Sequence, residues 1–250
     1  MIVFSDFDKT LYPHYDDAQF LENLKAVEEF RRAGNLFGLA SGRNLSSLKR
    51  VWPKYQQYVD YLILDNGAAC FDAKGNLLFQ NVMTKDLAEQ ISQDIITNCA
   101  ADEVVFIYYD ATQENLELNH AVTKLRCWAT SPMIAEKILQ IVQAKYSDAT
   151  QAFIDKNAQI SGITCIAEAE KYHAFVDMIA IEAGKEKAIK QLCLQQTFGK
   201  IVTIGDDIND LGMIENYNGY AVQGGTPKVL EKVPPNHVVG SVAELLRRYN

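Results

Sequence analysis

Ile2-Val3-Phe4-Ser5-Asp6-Phe7-Asp8-Lys9-Thr10 near the start of the chain and Ile201-Val202-Thr203-Ile204-Gly205-Asp206-Asp207-Ile208-Asn209-Asp210 near its end follow one plan. Each is a short apolar run of strand character that breaks into acidic residues and a turn. With 17 Asp in 250 residues, an Asp-x-Asp is expected roughly once by chance, so alone it decides nothing. A Thr two residues later lowers that expectation to roughly 0.05. For Gly-Asp-x-x-Asn-Asp it is roughly 0.004. A third strand-like run, Leu36–Ala40, ends at Ser41-Gly42-Arg43. Polar groups at the carboxyl ends of three strands occupy the place where open α/β sheets bind their ligands.

Working outward, Asp17–Ala33 carries Phe20, Leu24, Val27 and Phe30 at helical spacing, with Asp17 as the expected cap and Gly34 as the stop. A short helix over Asn44–Arg50 and a strand over Tyr61–Leu64 complete βαβ alternation, which calls for a parallel sheet. After Asn66-Gly67 the pattern changes. Ala68–Phe71 and Leu77–Gln80 read as a hairpin, and Thr84–Asn98 as a helix. Strands are expected over Val104–Tyr109, Glu114–Leu118 and Ala121–Cys127. Ser131-Pro132 opens a helix to about Tyr146, followed by strands at Gln151–Ile154, Ile160–Ala167 and Phe175–Ile181. Alternation returns with a helix over Lys185–Phe198, burying Ile189, Leu192 and Leu194, and a strand over Lys200–Ile204. Further helices start at Leu211 and Thr226-Pro227, and Ser241 with Glu244 forms a capping box for the last. The chain thus reads as one α/β domain (1–80 and 181–250) interrupted by an α+β module (81–180).

Composition bounds the function. Lys and Arg number 24 against 32 Asp and Glu, a net charge of −8, which disfavours nonspecific nucleic-acid or anionic-membrane binding. Apolar runs such as Val104–Tyr109 are far shorter than the roughly 20 residues a membrane span needs. Met1 leads directly into Ile-Val-Phe without a basic segment, so no secretory signal is expected and the cytoplasm is the expected location. Five cysteines, at 70, 99, 127, 165 and 193, form no CxxC and read as reduced thiols.

Asp6, Asp8, Asp206, Asp207 and Asp210 are placed to converge, and crowded carboxylates cannot all stay ionised without a cation. An all-oxygen donor set selects a hard ion, with Mg²⁺ the natural candidate. These features resemble the haloacid dehalogenase superfamily of phosphatases, closest to Cof-like members with a type II (IIB) cap. Asp6–Thr10 matches the first motif, Ser41 the second, Lys185 the third and Gly205–Asp210 the fourth. Leu64-Asp65-Asn66-Gly67-Ala68 also fits the Cof-like pattern. Lys9 and Glu186 depart from it, standing where Gly is usual.

The resemblance implies a Rossmann-like core with the insert as a specificity cap. It also implies Asp6 as nucleophile and Asp8 as general acid and base. Mg²⁺ would lie on Asp6, the Asp8 carbonyl, Asp206 and Asp210, the last directly or through water. Ser41, Gly42, Lys185 and Asn209 would hold the phosphoryl oxygens. The expected activity is Mg²⁺-dependent hydrolysis of a small phosphorylated metabolite, sugar phosphates leading. A phosphomutase and a non-enzymatic phospho-aspartate signalling module are the alternatives. Arg43 is expected to pair with a carboxylate, His14 to lie in a surface turn, and Tyr108, Tyr109 and Trp128 to pack in the insert.

Overall fold

The structure, a computed structural model, describes residues 1–13, 16–156 and 169–249. The chain divides into two compact units. The first comprises Met1–Arg43, Ser47–Phe79 and Gly184–Asn250, the second Asn44–Ser46 with Gln80–Ala183.

The first unit holds an eight-stranded sheet. From one edge its strands are Val238–Val239 (β13), Gly219–Val222 (β12), Ile201–Gly205 (β11), Ile2–Ser5 (β1), Leu36–Ala40 (β2), Tyr61–Leu64 (β3), Ala69–Asp72 (β4) and Leu77–Gln80 (β5). The six from β13 to β3 pair in parallel, and β4 turns antiparallel to β3. Ile2–Ser5 is buried throughout, as a strand covered on both faces must be. On one face Lys185–Gln195 (α5) packs Ala188, Ile189 and Leu192 against Ile2, Phe4, Ala40 and Ile63. Asp17–Arg32 (α1) buries Leu24, Val27 and Phe30, and Leu45–Val51 (α2) and Pro227–Leu230 (α7) are shorter helices. The buried Asn23 of α1 donates to the Leu11 carbonyl and accepts from the Ala243 N–H of Val242–Arg247 (α8).

The second unit is a five-stranded sheet in the order Glu114–Asn115 (β7), Val104–Tyr109 (β6), Lys124–Ala129 (β8), Ala174–Ala180 (β10) and Thr150–Asp155 (β9). The pairings of β6, β8, β9 and β10 are antiparallel. Lys85–Asn98 (α3) and Pro132–Tyr146 (α4) bring Ile91, Ile95, Ile138 and Val142 onto the face presenting Leu125, Cys127, Val176 and Met178. The alternate residues face the other way. There Tyr109 and Trp128 are buried beside Ile107. Arg126 forks onto Asp177 at 2.6 and 2.7 Å with its guanidinium over the Phe175 ring.

Several local expectations shift. The α1 cap is Asp16, whose carboxylate accepts from the Ala18 and Gln19 N–H groups, one residue before the expected Asp17. Leu194 is exposed, because α5 ends at Gln195 and Leu194 projects about 140° from Ile189 around the helix. The strand expected over Glu114–Leu118 is only two residues long, and the strand expected from Ala121 begins at Lys124. Ser241 caps α8 through the Glu244 N–H, but the Glu244 carboxylate reaches back to Gly240 instead of closing a box on Ser241. Strands β12 and β13 are additional. Ile160–Ala167, Cys165 and His14 lie outside the described residues. Cys70, Cys99, Cys127 and Cys193 are free thiols. No helix among the described residues is long and apolar enough to cross a membrane.

Candidate active site

β1 and β11 are neighbours at the point where the strand order reverses, so the loops leaving them diverge and open a crevice. Asp6 leaves β1 and Asp206 leaves β11. Lys185 opens α5, and Asp210 stands at the head of Leu211–Asn216 (α6). Their side chains meet. Lys185 Nζ donates to Asp6 Oδ1 at 2.7 Å and to Asp210 Oδ1 at 2.6 Å. The other Asp210 oxygen accepts the backbone N–H groups of Asp206 and Asp207 at 3.0 and 3.1 Å, which fixes the loop. Thr10 Oγ1 donates to Asp206 Oδ1 at 2.9 Å. Asp6, Asp206, Asp210 and Lys185 are all buried.

Three buried carboxylates against one ammonium leave an excess of negative charge. Burial drives the Asp6 carboxyl well above its usual range; Lys185 opposes that shift, while Asp210, Asp206 and Asp8 add to it. Burial likewise raises Asp206 to about 7, reinforced by Asp210 and opposed by Thr10 and Lys185. Burial works against the charge on Lys185, but Asp210 and Asp6 outweigh it and raise its pKa. A divalent cation would remove the excess. Asp6, Asp206 and Asp210 each present a ligand oxygen, all within 4.8 Å of one another. That oxygen-only set suits Mg²⁺.

This arrangement fixes a sign. Burial raises the Asp206 carboxyl from its ordinary value of 3.8 to about 7 in the folded protein. Between those values the native state keeps a proton that the unfolded chain has lost, so without metal this group's contribution to stability falls as pH rises from about 4 to about 7. A divalent cation held by this cluster would require the ionised carboxylates, so any stabilisation it gives would grow over the same interval. The Mg²⁺-induced rise in Tm should therefore be larger at about pH 8 than at about pH 5.5. Equal rises at both pH values in a chelator-controlled melt would remove this cluster as the cation site.

Two expected members stand apart. Asp207 turns away and caps the following 3₁₀ turn by accepting from the Ile208 N–H, so it does not join the three carboxylates. The Asp8 side chain is held by Arg43, with Nε to Oδ2 at 2.8 Å and Nη2 to Oδ1 at 2.7 Å. Arg43 thus pairs with a carboxylate, as expected, and its guanidinium lies over the Phe7 ring. Ser41 is buried and its hydroxyl oxygen accepts from the Arg43 N–H. Asn209 Nδ2 donates to Asn66 Oδ1 at 3.0 Å, a link to the turn after β3.

The two departures from Gly have separate local accounts. Lys9 sits at φ 64°, the left-handed region in which glycine is unstrained and other residues pay about 1–2 kcal/mol. Glu186 lies in the first turn of α5, where a carboxylate suits the helix dipole. It fills the space beside Gly212, where an added Cβ would meet its Oε2 at 2.5 Å. Thr10 and Asn66 carried no assigned role in the sequence. Both stand in motifs legible in the sequence; what the sequence does not show is the Asn66 partner, 143 residues away.

The family model for haloacid dehalogenase-like hydrolases matches residues 3–244. A protein of Mycoplasma capricolum subsp. capricolum is 25% identical over 235 residues, covering 86% of this chain and 87% of its own. Among solved structures, a haloacid dehalogenase-like hydrolase from Bacteroides thetaiotaomicron superposes with a TM-score of 0.76 at 15% identity, covering 100% of this chain and 99% of its own. One from B. subtilis gives 0.76 at 14% identity, with 100% and 99% covered. A subclass IIB sugar phosphatase of that superfamily gives 0.72 at 15% identity, with 99% and 98% covered. At such identities these structures share the fold.

Proposed function

The chain belongs to the haloacid dehalogenase-like hydrolases, and from that premise we propose that it is a Mg²⁺-dependent phosphomonoesterase acting on a small phosphorylated metabolite, a sugar phosphate foremost. The observation carrying this reading is the buried Asp6 carboxylate at the end of β1, bonded to Lys185 and set beside Asp206 and Asp210. A carboxylate so placed serves as a nucleophile, because a low-dielectric pocket with a fixed cation orients it and strips its water.

In this mechanism an Asp6 oxygen attacks phosphorus, and the bond to the ester oxygen breaks as the aspartyl-phosphate forms. Asp8, freed from the Arg43 fork and protonated once substrate is bound, gives its proton to the departing alkoxide. It then takes one from the water that attacks the same phosphorus, releasing phosphate and regenerating Asp6. The Arg43 fork holds the Asp8 carboxyl in one orientation before substrate arrives. Ser41, the Gly42 N–H, Lys185 and Asn209 bind the phosphoryl oxygens. Asp6, Asp206, Asp210 and the Asp8 carbonyl would hold Mg²⁺, which when bound neutralises charge on the carboxylates and the phosphoryl group. The second unit serves as the cap that reads the rest of the substrate, the role the resemblance implies for residues 81–180. The sugar phosphatase among the structural relatives favours sugar phosphates over other esters.

The test is phosphate release from a panel of phosphomonoesters, in Mg²⁺ and in EDTA. Multiple turnovers in Mg²⁺ with none in EDTA are expected. Interconversion of sugar phosphates without net phosphate release would make the protein a mutase. A stable acyl-phosphate without turnover would make it a signalling module.

A further inference from the structure

The turn after β3 holds Asp65 at φ 50°, Asn66 at φ 55° and Gly67 at φ 96°, three consecutive residues in the left-handed region. For Asp65 and Asn66 this backbone is unfavourable in isolation, so it persists only because its surroundings hold it. Those surroundings are the loops already described. The Asp65 N–H donates to the Arg43 carbonyl at 2.9 Å, and the Asn66 N–H to the Ser41 carbonyl at 3.0 Å. Gly67 lies on the start of α5, where an added Cβ would meet the Gly184 carbonyl carbon at 2.2 Å and the Lys185 nitrogen at 2.6 Å. Asn66, itself buried, uses Oδ1 to accept from Asn209 Nδ2 at 3.0 Å. A Cβ on Gly42 would fall 2.9 Å from that same oxygen.

A free carboxamide turns about its last torsion and presents either its oxygen or its NH₂ to a ligand. Toward a phosphoryl oxygen the first repels and the second binds. An acceptor placed on one N–H selects the orientation and leaves the second N–H for an anion. We propose that Asn66 is a positioning residue, whose carboxamide oxygen holds the Asn209 side chain in its phosphoryl-binding orientation. The turn carrying it keys the loops after β2 and β11 and the head of α5 to one another. This assignment rests on the reading of Asn209 as a phosphoryl ligand.

Asn66→Gly isolates the effect, because glycine accepts the left-handed backbone and lacks only the side chain. It should lower kcat/KM about tenfold and weaken competitive inhibition by inorganic phosphate by a similar factor, with cooperative melting retained. Repeated in an Asn209→Ala background, the same substitution should change kcat/KM by less than about twofold, since the group it orients is gone. Asn66→Ala should match the catalytic loss of Asn66→Gly and melt at a lower temperature. Equal losses in both Asn209 backgrounds, or no loss in either, overturn the assignment. So does loss of cooperative melting in both Asn66 variants, which would make the residue purely structural. If Asn209→Ala and Asp6→Asn themselves leave turnover intact, the phosphatase reading fails. If those two variants lose turnover and the cycle shows no coupling, only the role of Asn66 fails.

Discussion

Asp6→Asn is expected to reduce kcat by at least about 100-fold, a loss of roughly 2.7 kcal/mol or more of transition-state stabilisation, while the protein folds as before. The amide matches the carboxylate in shape and its oxygen can still accept from Lys185, so the hydrogen bond at 2.7 Å has a substitute. What disappears is the proposed nucleophile and one negative charge in a pocket with too many. Burial and the neighbouring Asp210, Asp206 and Asp8 all disfavour an ionised Asp6. The metal-free variant should therefore melt no lower than the parent above neutral pH. A variant keeping more than about a hundredth of parental kcat would remove Asp6 as the attacking group. One that is inactive because it no longer melts cooperatively would contradict the charge argument instead.

Lys185→Met should be the most destabilising single change in the site, at about 3–5 kcal/mol in metal-free protein near neutral pH. The ammonium is buried, and it is the cation bonded to both Asp6 and Asp210. Met fills similar volume, so the cost is that of buried negative charge left without its partner rather than of a cavity. Two checks separate charge from packing. The loss should shrink as pH falls, because Asp6 and Asp206, already raised, take up protons more readily still. Adding Asp210→Asn should recover part of it. A urea-derived loss below about 1 kcal/mol, or one that is flat with pH, would mean that the pair is not ionised in the native state.

Fold class was legible because it depends on local pattern: buried strands of four or five residues, each followed by a helix of amphipathic period. What escaped was what depends on distance. Gly219–Val222 is as long as Ile2–Ser5 but opens on a glycine and carries the small Ala221 inside it, so its residues do not signal a strand; it exists because β11 offers it a parallel edge. The Asp16 cap was misplaced by one residue because Asp16 and Asp17 are both competent, and only backbone geometry chooses between them. In the site, Asp6, Asp206 and Asp210 were readable from strand ends. That Asp207 would turn outward was not, since a helix start and an acidic cluster ask for the same residue type. The carboxylate that Arg43 would choose could not be read, because the two lie 35 residues apart.

The placement of β1 also bears on how the chain is made. Ile2 and Val3 pair on one side with Ile201 and Val202, so that side of the strand bearing Asp6 stays unpaired until about 200 further residues have been synthesised. At roughly 5–20 residues per second that interval lasts on the order of 10–40 s. The sheet of the second unit by contrast joins strands much nearer in sequence, with Tyr109 opposite Lys124, Val104 opposite Ala129 and Ala174 opposite Ala129. Contacts of short range close first because less chain entropy is lost in forming them. On the ribosome the second unit should therefore gain structure while the strand bearing Asp6 still lacks its β11 partner, so the carboxylate cluster should assemble last. Pulse-labelled hydrogen exchange during refolding should show amides of Val104–Tyr109 and Lys124–Ala129 protected before those of Ile2–Ser5 and Ile201–Gly205. The reverse order would show that long-range closure of the parallel sheet leads.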